Sequence, residues 1–125
     1  MKVIDAISRA DALKPNAFPL NDKIEWLSRL DQRIYEEIIR THRRNEGEEE
    51  IRFSGYSSED QDATLLVAEP YAEMYIHWLQ AQIDYYSLEY VGFNACNAMF
   101  ESIYSVFRNA YNASHMPMTA KKTYF

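Results

Sequence analysis

Cysteine is almost missing from this 125-residue chain: Cys96 stands alone. That excludes an intramolecular disulfide and a cysteine-based metal cluster. Glycine and proline are scarce, at three and four, so there is no glycine-rich phosphate loop and little material for tight turns. No apolar run approaches the roughly 20 residues that span a bilayer. The N-terminus meets Asp5, Arg9 and Asp11 before any apolar core of signal length. Positive charge is in deficit, with 13 Lys and Arg against 19 Asp and Glu and a net charge of −6. General binding of DNA or of anionic membranes is disfavoured, because both would repel such a chain. The expectation is a single domain, residues 1–125, made in a cytosol and kept there or assembled there into something larger.

What the chain does have is helix-forming pattern and aromatic bulk. Seven of the ten tyrosines fall between Tyr71 and Tyr111. Two long helical segments are predicted, Pro70–Glu89 and Asn94–Asn112, with Pro70 at the first helical position and Asn94 as a cap. In the first segment Glu73, His77, Gln80, Asp84 and Ser87 recur at steps of four and three. They form one line along a 3.6-residue helix, predicted to be its solvent-facing edge. The rest of that segment is largely apolar, more than one packing partner needs. Tyr71, Tyr75, Trp78, Tyr85, Tyr86, Phe100, Phe107 and Tyr111 are the candidate aromatics for a subunit interface or a core. On the second segment Cys96, Met99, Phe100, Ile103, Phe107, Ala110 and Tyr111 share a side.

Upstream, a short helix is predicted over Val3–Leu13 with Val3, Ile4, Ile7, Ala10 and Leu13 inward, ended by Pro15. A second runs to about Arg44, capped by Asn21 or by Asp22 with Glu25. Its inner face carries Ile24, Leu27, Leu30, Ile34 and Ile38; Arg29, Asp31, Arg33, Glu36, Glu37 and Arg40 lie opposite. Arg40, His42, Arg43 and Arg44 fall in its last turns, where cations suit the negative end of the helix dipole. Residues 45–68 then change character. Glu46, Glu48, Glu49, Glu50, Glu59, Asp60 and Asp62 make an exposed acidic excursion, a candidate channel-facing or partner-facing loop. Ile51 and Phe53 could form a short strand there, and Leu65, Leu66 and Val67 anchor the return. Residues 116–125 form an irregular tail. The fold class expected is all-α, a small bundle of about four helices with a long acidic loop before the C-terminal pair.

The residue types that carry catalysis are present but badly arranged. His42, His77 and His115 have no second histidine at metal-ligand spacing. Glu73 and His77 are four apart, whereas helical di-metal sites need glutamate and histidine three apart, twice. Cys96 has no basic residue within a helical turn to lower its pKa. The carboxylate pairs Glu36/Glu37 and Asp60/Asp62 lie on a solvated face and in a hydrophilic loop, not in a shielded site. No metal, no cofactor and no enzymatic activity are expected.

The stretch Leu65-Leu66-Val67-Ala68-Glu69-Pro70-Tyr71-Ala72-Glu73-Met74-Tyr75, with Ala81-Gln82-Ile83-Asp84-Tyr85 after it, resembles small proteins of tailed bacteriophages and prophages. Phe93-Asn94, Ala110-Tyr111-Asn112 and His115-Met116-Pro117 continue the likeness. So do Ala12-Leu13-Lys14-Pro15-Asn16, Lys23-Ile24, Trp26-Leu27 and the Gly47-to-Tyr56 stretch upstream. That group is similar to head–tail connector (adaptor, head-completion) proteins. The resemblance implies an all-helical subunit that assembles as a ring, usually dodecameric, beneath the portal protein, even where the free chain is monomeric. Such a ring extends the DNA channel without binding DNA specifically and receives a downstream connector or tail-completion protein. The implied location is the head–tail interface of the virion, assembled in the bacterial host cytoplasm, with no membrane. No catalytic residues come with the family. A cytosolic helical protein–protein adaptor or regulator is the alternative. A helix-turn-helix DNA binder would need more than the one basic cluster at Arg40–Arg44, and an enzyme comes last.

Overall fold

A computed structural model describes residues 1–118, and the remainder of the expected tail, 119–125, lies outside the described residues. Four α-helices form among them: α1 (Val3–Leu13), α2 (Leu20–Ile34), α3 (Glu73–Tyr86) and α4 (Tyr90–Ser114). No strand forms there; the extended pieces make only isolated bridges, Lys2 with Thr64 and His42 with Pro117. The architecture is the all-α bundle that the patterning predicts. In it α3 is central, packing along α4 and also against α1 and α2.

Helix α1 buries Val3, Ala6, Ile7 and Ala10 at the three- and four-residue spacing of one face. Leu13, expected inward, is instead 66% exposed, because the helix ends there and Pro15 turns the chain away. The first N–H groups of α1 lack helical partners. The chain supplies them from afar: Val3 and Ile4 donate to the carbonyls of Ala63 and Gln61, each at 2.9 Å.

Helix α2 starts one residue before the expected caps, with Pro19 as the N-cap and no side-chain capping bond. Asp22 therefore caps nothing. The next residue, Lys23, is buried and pairs with Asp11 at 2.9 Å. Regular helix stops at Ile34 and continues as one π-helical stretch, Tyr35–Ile39. The helix does not reach Arg44. The Thr41 hydroxyl donates to the Ile38 carbonyl, and His42 Nδ1 lies 2.6 Å from the same oxygen. These bonds occupy the acceptors that a further turn would use. His42, Arg43 and Arg44 consequently lie beyond the helix, and only Arg40 sits at its end.

A further expectation fails because of contacts across the chain. Asp31, placed by its charged neighbours on the solvent side, is completely buried. It accepts from the hydroxyls of Tyr56 and Tyr75 (the latter at 2.6 Å) and from the Leu66 N–H at 3.0 Å. One carboxylate thus ties α2 to α3 and to the chain around residues 56–66. The stretch 45–68 is accordingly exposed at its acidic start but docked at its end, where Leu65 and Val67 are buried. Burial raises the Asp31 pKa; the bonds from Tyr56, Tyr75 and Leu66 oppose the shift without cancelling it.

The polar line along α3 is not a solvent edge. Glu73 meets Arg9 at 2.7 Å, Asp84 is buried against Lys14, and His77 and Gln80 are half-buried. Helix α3 begins at Glu73 and not at Pro70, which lies in a turn after a cis Glu69–Pro70 peptide.

Candidate interaction surface

The α3–α4 connection is shorter than the sequence suggests. Helix α3 ends at Tyr86, α4 opens at Tyr90 rather than Asn94, and Ser87-Leu88-Glu89 make the whole turn. Leu88 takes the left-handed conformation at φ 62°, which a glycine or asparagine would hold with less strain. The turn closes through Ser87 N–H to Ile83 O (3.0 Å) and Glu89 N–H to Asp84 O (2.8 Å). Gly92, which falls in the gap between the two predicted segments, sits inside α4, and a contact from α3 explains it. A Cβ there would stand 2.5 Å from Asp84 Oδ2, so the glycine makes room for the buried carboxylate that Lys14 neutralises.

Around this turn the apolar residues face outward. Tyr85 and Tyr86 are nearly half exposed, Tyr90 is 54%, Leu88 71% and Val91 87% exposed. Tyr85 lies edge-on to Tyr86 and Tyr90 and tilted against Phe93. Tyr86 stacks on Trp26 with ring centroids 5.4 Å apart and planes 5° apart. The rings are thus held in place from below while their edges meet solvent. Scattered exposed apolar residues are ordinary, but several side by side on one rigid turn mark a contact surface.

The other candidate aromatics mostly build the core. Tyr75 and Phe100 are fully buried and Phe107 nearly so, whereas Tyr71, Trp78 and Tyr111 are half-buried. The Trp78 indole donates to the Trp26 carbonyl at 2.9 Å. Phe100 lies between Trp78 and Tyr104, and Phe107 between Tyr71 and Tyr111, at centroid distances of 5.1 to 5.9 Å. Tyr104, on no predicted face, is 1% exposed and donates to Glu37 at 3.2 Å. Met99, assigned to the packed side of α4, is 52% exposed.

The acidic residues do not act as one unit. Glu46, Glu49, Glu59 and Asp62 are exposed, and Asp62 approaches Lys2 at 3.8 Å. Asp60 is half-buried and accepts from the Ser57 N–H at 2.7 Å. Glu50 pairs with Arg52. Glu48 accepts from the Asn45 N–H and meets His115, and these contacts hold its pKa below the usual value. Glu48, Glu49 and Glu50 also share a cleft of about 870 Å³ with Arg40, Arg43 and Arg44. The basic cluster and the acidic run, adjacent in sequence, thus line one groove. The start of the tail borders it, where Arg43 N–H donates to Met116 O and Met118 N–H to Thr41 O.

Cys96 does have basic company, from a residue 82 positions away: Lys14 Nζ lies 3.9 Å from its sulfur and Asp84 Oδ2 3.8 Å. Burial raises the thiol pKa, Asp84 adds to the rise and Lys14 opposes it. Among the described residues no three of His, Cys, Asp and Glu converge as metal ligands. None of their helices is long and apolar enough to cross a membrane. Comparison with known protein families, curated proteins and solved structures yields no match to this chain.

Proposed function

We propose that this chain is a head–tail connector subunit of a tailed bacteriophage or prophage. In this reading it docks in a ring beneath the portal, extends the DNA channel and receives the next connector or tail component. The observation that carries the reading is the rigid apolar turn of Tyr85, Tyr86, Leu88, Tyr90 and Val91. It is a surface suited to another protein, in an all-helical chain whose sequence resembles connectors. The exposed carboxylates Glu46, Glu49, Glu59 and Asp62 support the channel role, since a DNA passage should repel the phosphates it passes. The test is co-sedimentation with assembled portal from the same phage genome. Wild-type chain should travel with the portal, and Leu88→Glu with Val91→Glu should abolish that while leaving the helical spectrum intact. Failure of the wild-type chain to bind would reject the reading.

A cytosolic helical adaptor is the second reading, favoured by the same half-exposed tyrosines, since tyrosine is a frequent interface anchor. It requires capture of a host protein and indifference to the portal.

A further inference from the structure

The outward face of α4 is nearly free of charge. Val91, Ala95, Ala98, Ser102, Val106, Asn109 and Ala113 are all exposed, and their spacing of three and four puts them on one line down the helix. Val91 and Val106 on that line are 87% and 55% exposed and Met99 beside it is 52% exposed, so large apolar side chains stand in solvent there. A lone surface helix normally fills that line with Lys, Glu and Gln.

Only two charges occur anywhere on α4, Glu101 and Arg108, and both are exposed. They are opposite in sign and seven residues apart, two helical turns, so they share one flank of the apolar line about 10 Å from each other. Neither has an ion-pair partner among the described residues; Arg108 rests over the Tyr104 ring at 5.7 Å. From the packed elements, Arg33 also lies over that ring at 4.7 Å, and Glu37, which accepts from the Tyr104 hydroxyl, is already paired with Arg33.

The geometry points to a second copy of this chain as the occupant, bound through an antiparallel α4–α4 contact about a two-fold axis. Two facing helices run antiparallel bring like flanks together. With the axis beside Tyr104 and Ser105, each Glu101 lies opposite the partner's Arg108, and the ion pair forms twice by symmetry. The same register brings Ser102 beside the partner's Val106, Ala98 beside the partner's Asn109 and Ala95 beside the partner's Ala113, each pair within about 3 Å of the same level along the helices. Large meets small at the central layer, and the small residues permit close approach. The overlap is about 30 Å long, at the low end for a specific interface, which suits a weak, reversible pairing. Flanking charges of this kind choose partner and orientation more than they add affinity. A closed two-fold pair of this kind stands independently of the connector reading and needs no portal.

Charge reversal tests it in the intact chain. Wild type should show concentration-dependent dimerisation by light scattering. Glu101→Arg and Arg108→Glu should each weaken it at least tenfold, because each turns two attractions into repulsions. Mixing the two variants one to one should restore a heterodimer, since the reversed charges then match again in trans. Both sites are exposed, and circular dichroism checks that the variants fold. As a second readout, Ser102→Cys mixed with Val106→Cys, each in a Cys96→Ala background, should cross-link through a short bis-maleimide faster than either alone. A monomeric wild type, single variants that dimerise like wild type, or a mixture that fails to associate would each overturn the pairing. None of these results bears on portal binding, so the two readings fail separately.

Discussion

Replacing Gly92 by alanine should destabilise the protein, against the usual behaviour of a helical glycine. Ordinarily the change gains up to ~1 kcal/mol, because alanine loses less chain entropy on forming helix. At this position the new Cβ would stand 2.5 Å from Asp84 Oδ2 and 3.0 Å from its Cγ, closer than side chains approach one another. The carboxylate must swing away, and it has nowhere inexpensive to go: Asp84 is 5% exposed and ion-paired with Lys14. Its negative charge also sits against the first turn of α4, where the helix dipole favours it. Breaking a fully buried pair costs about 3–5 kcal/mol. Lys14 keeps 30% of its side chain in solvent, which reduces that to roughly 2–3 kcal/mol. Net of the propensity gain, Gly92→Ala should lose about 1–2 kcal/mol. Urea unfolding followed by circular dichroism measures this as a lower midpoint at unchanged slope. In an Asp84→Ala background the clash is gone, and the same substitution should be neutral or stabilising, giving a coupling of about 2–3 kcal/mol. If Gly92→Ala stabilises the protein in both backgrounds, the glycine is not there to admit Asp84.

Asp31 should give stability an unusual pH slope. Its folded-state pKa is raised above the ordinary 3.8, so the folded chain holds that proton more tightly than the unfolded chain. Its contribution is therefore most favourable below pH 3.8 and declines as pH climbs through the folded value. Asp31→Asn removes the titration, so the variant should gain on wild type as pH rises over that window; a constant or opposite difference in urea midpoints would refute the assignment. Leu88→Gly should raise stability by ~0.5–1 kcal/mol, because it relieves a left-handed leucine whose side chain contributes little packing. A thermal melt checks it, and a loss of stability would show that Leu88 packs after all.

Periodicity located what depends on neighbours in sequence. Val3–Leu13 is predicted and found with its bounds intact, because apolar spacing and Pro15 both act locally. The aromatic helical pair is also legible, although both helix starts shift by three or four residues. What escaped depends on contacts across the chain. Asp31 sits among Arg29 and Arg33 and looks like a surface residue until Tyr56, Tyr75 and Leu66 arrive from elsewhere to bind it. Gly92 falls in the gap between the predicted segments, and the reason it is glycine, Asp84, lies on another helix. The Ser87–Glu89 turn carries no glycine, so nothing local marked it; it fell at the end of a predicted helix, with Tyr90 and Val91 in the gap that follows. Of the candidate interface aromatics, only Tyr85 and Tyr86 face outward substantially. The others fill the core, which hydrophobicity alone does not distinguish from an interface.

The central claim, a connector subunit that assembles on a portal, is tested most directly by the mass and shape of the complex it forms. Size-exclusion light scattering of the chain with assembled portal, followed by imaging of the peak, should show a closed ring of this subunit at one end of the portal, twelve copies on a dodecameric portal. A portal peak of unchanged mass, with this chain eluting separately at every ratio, would contradict it.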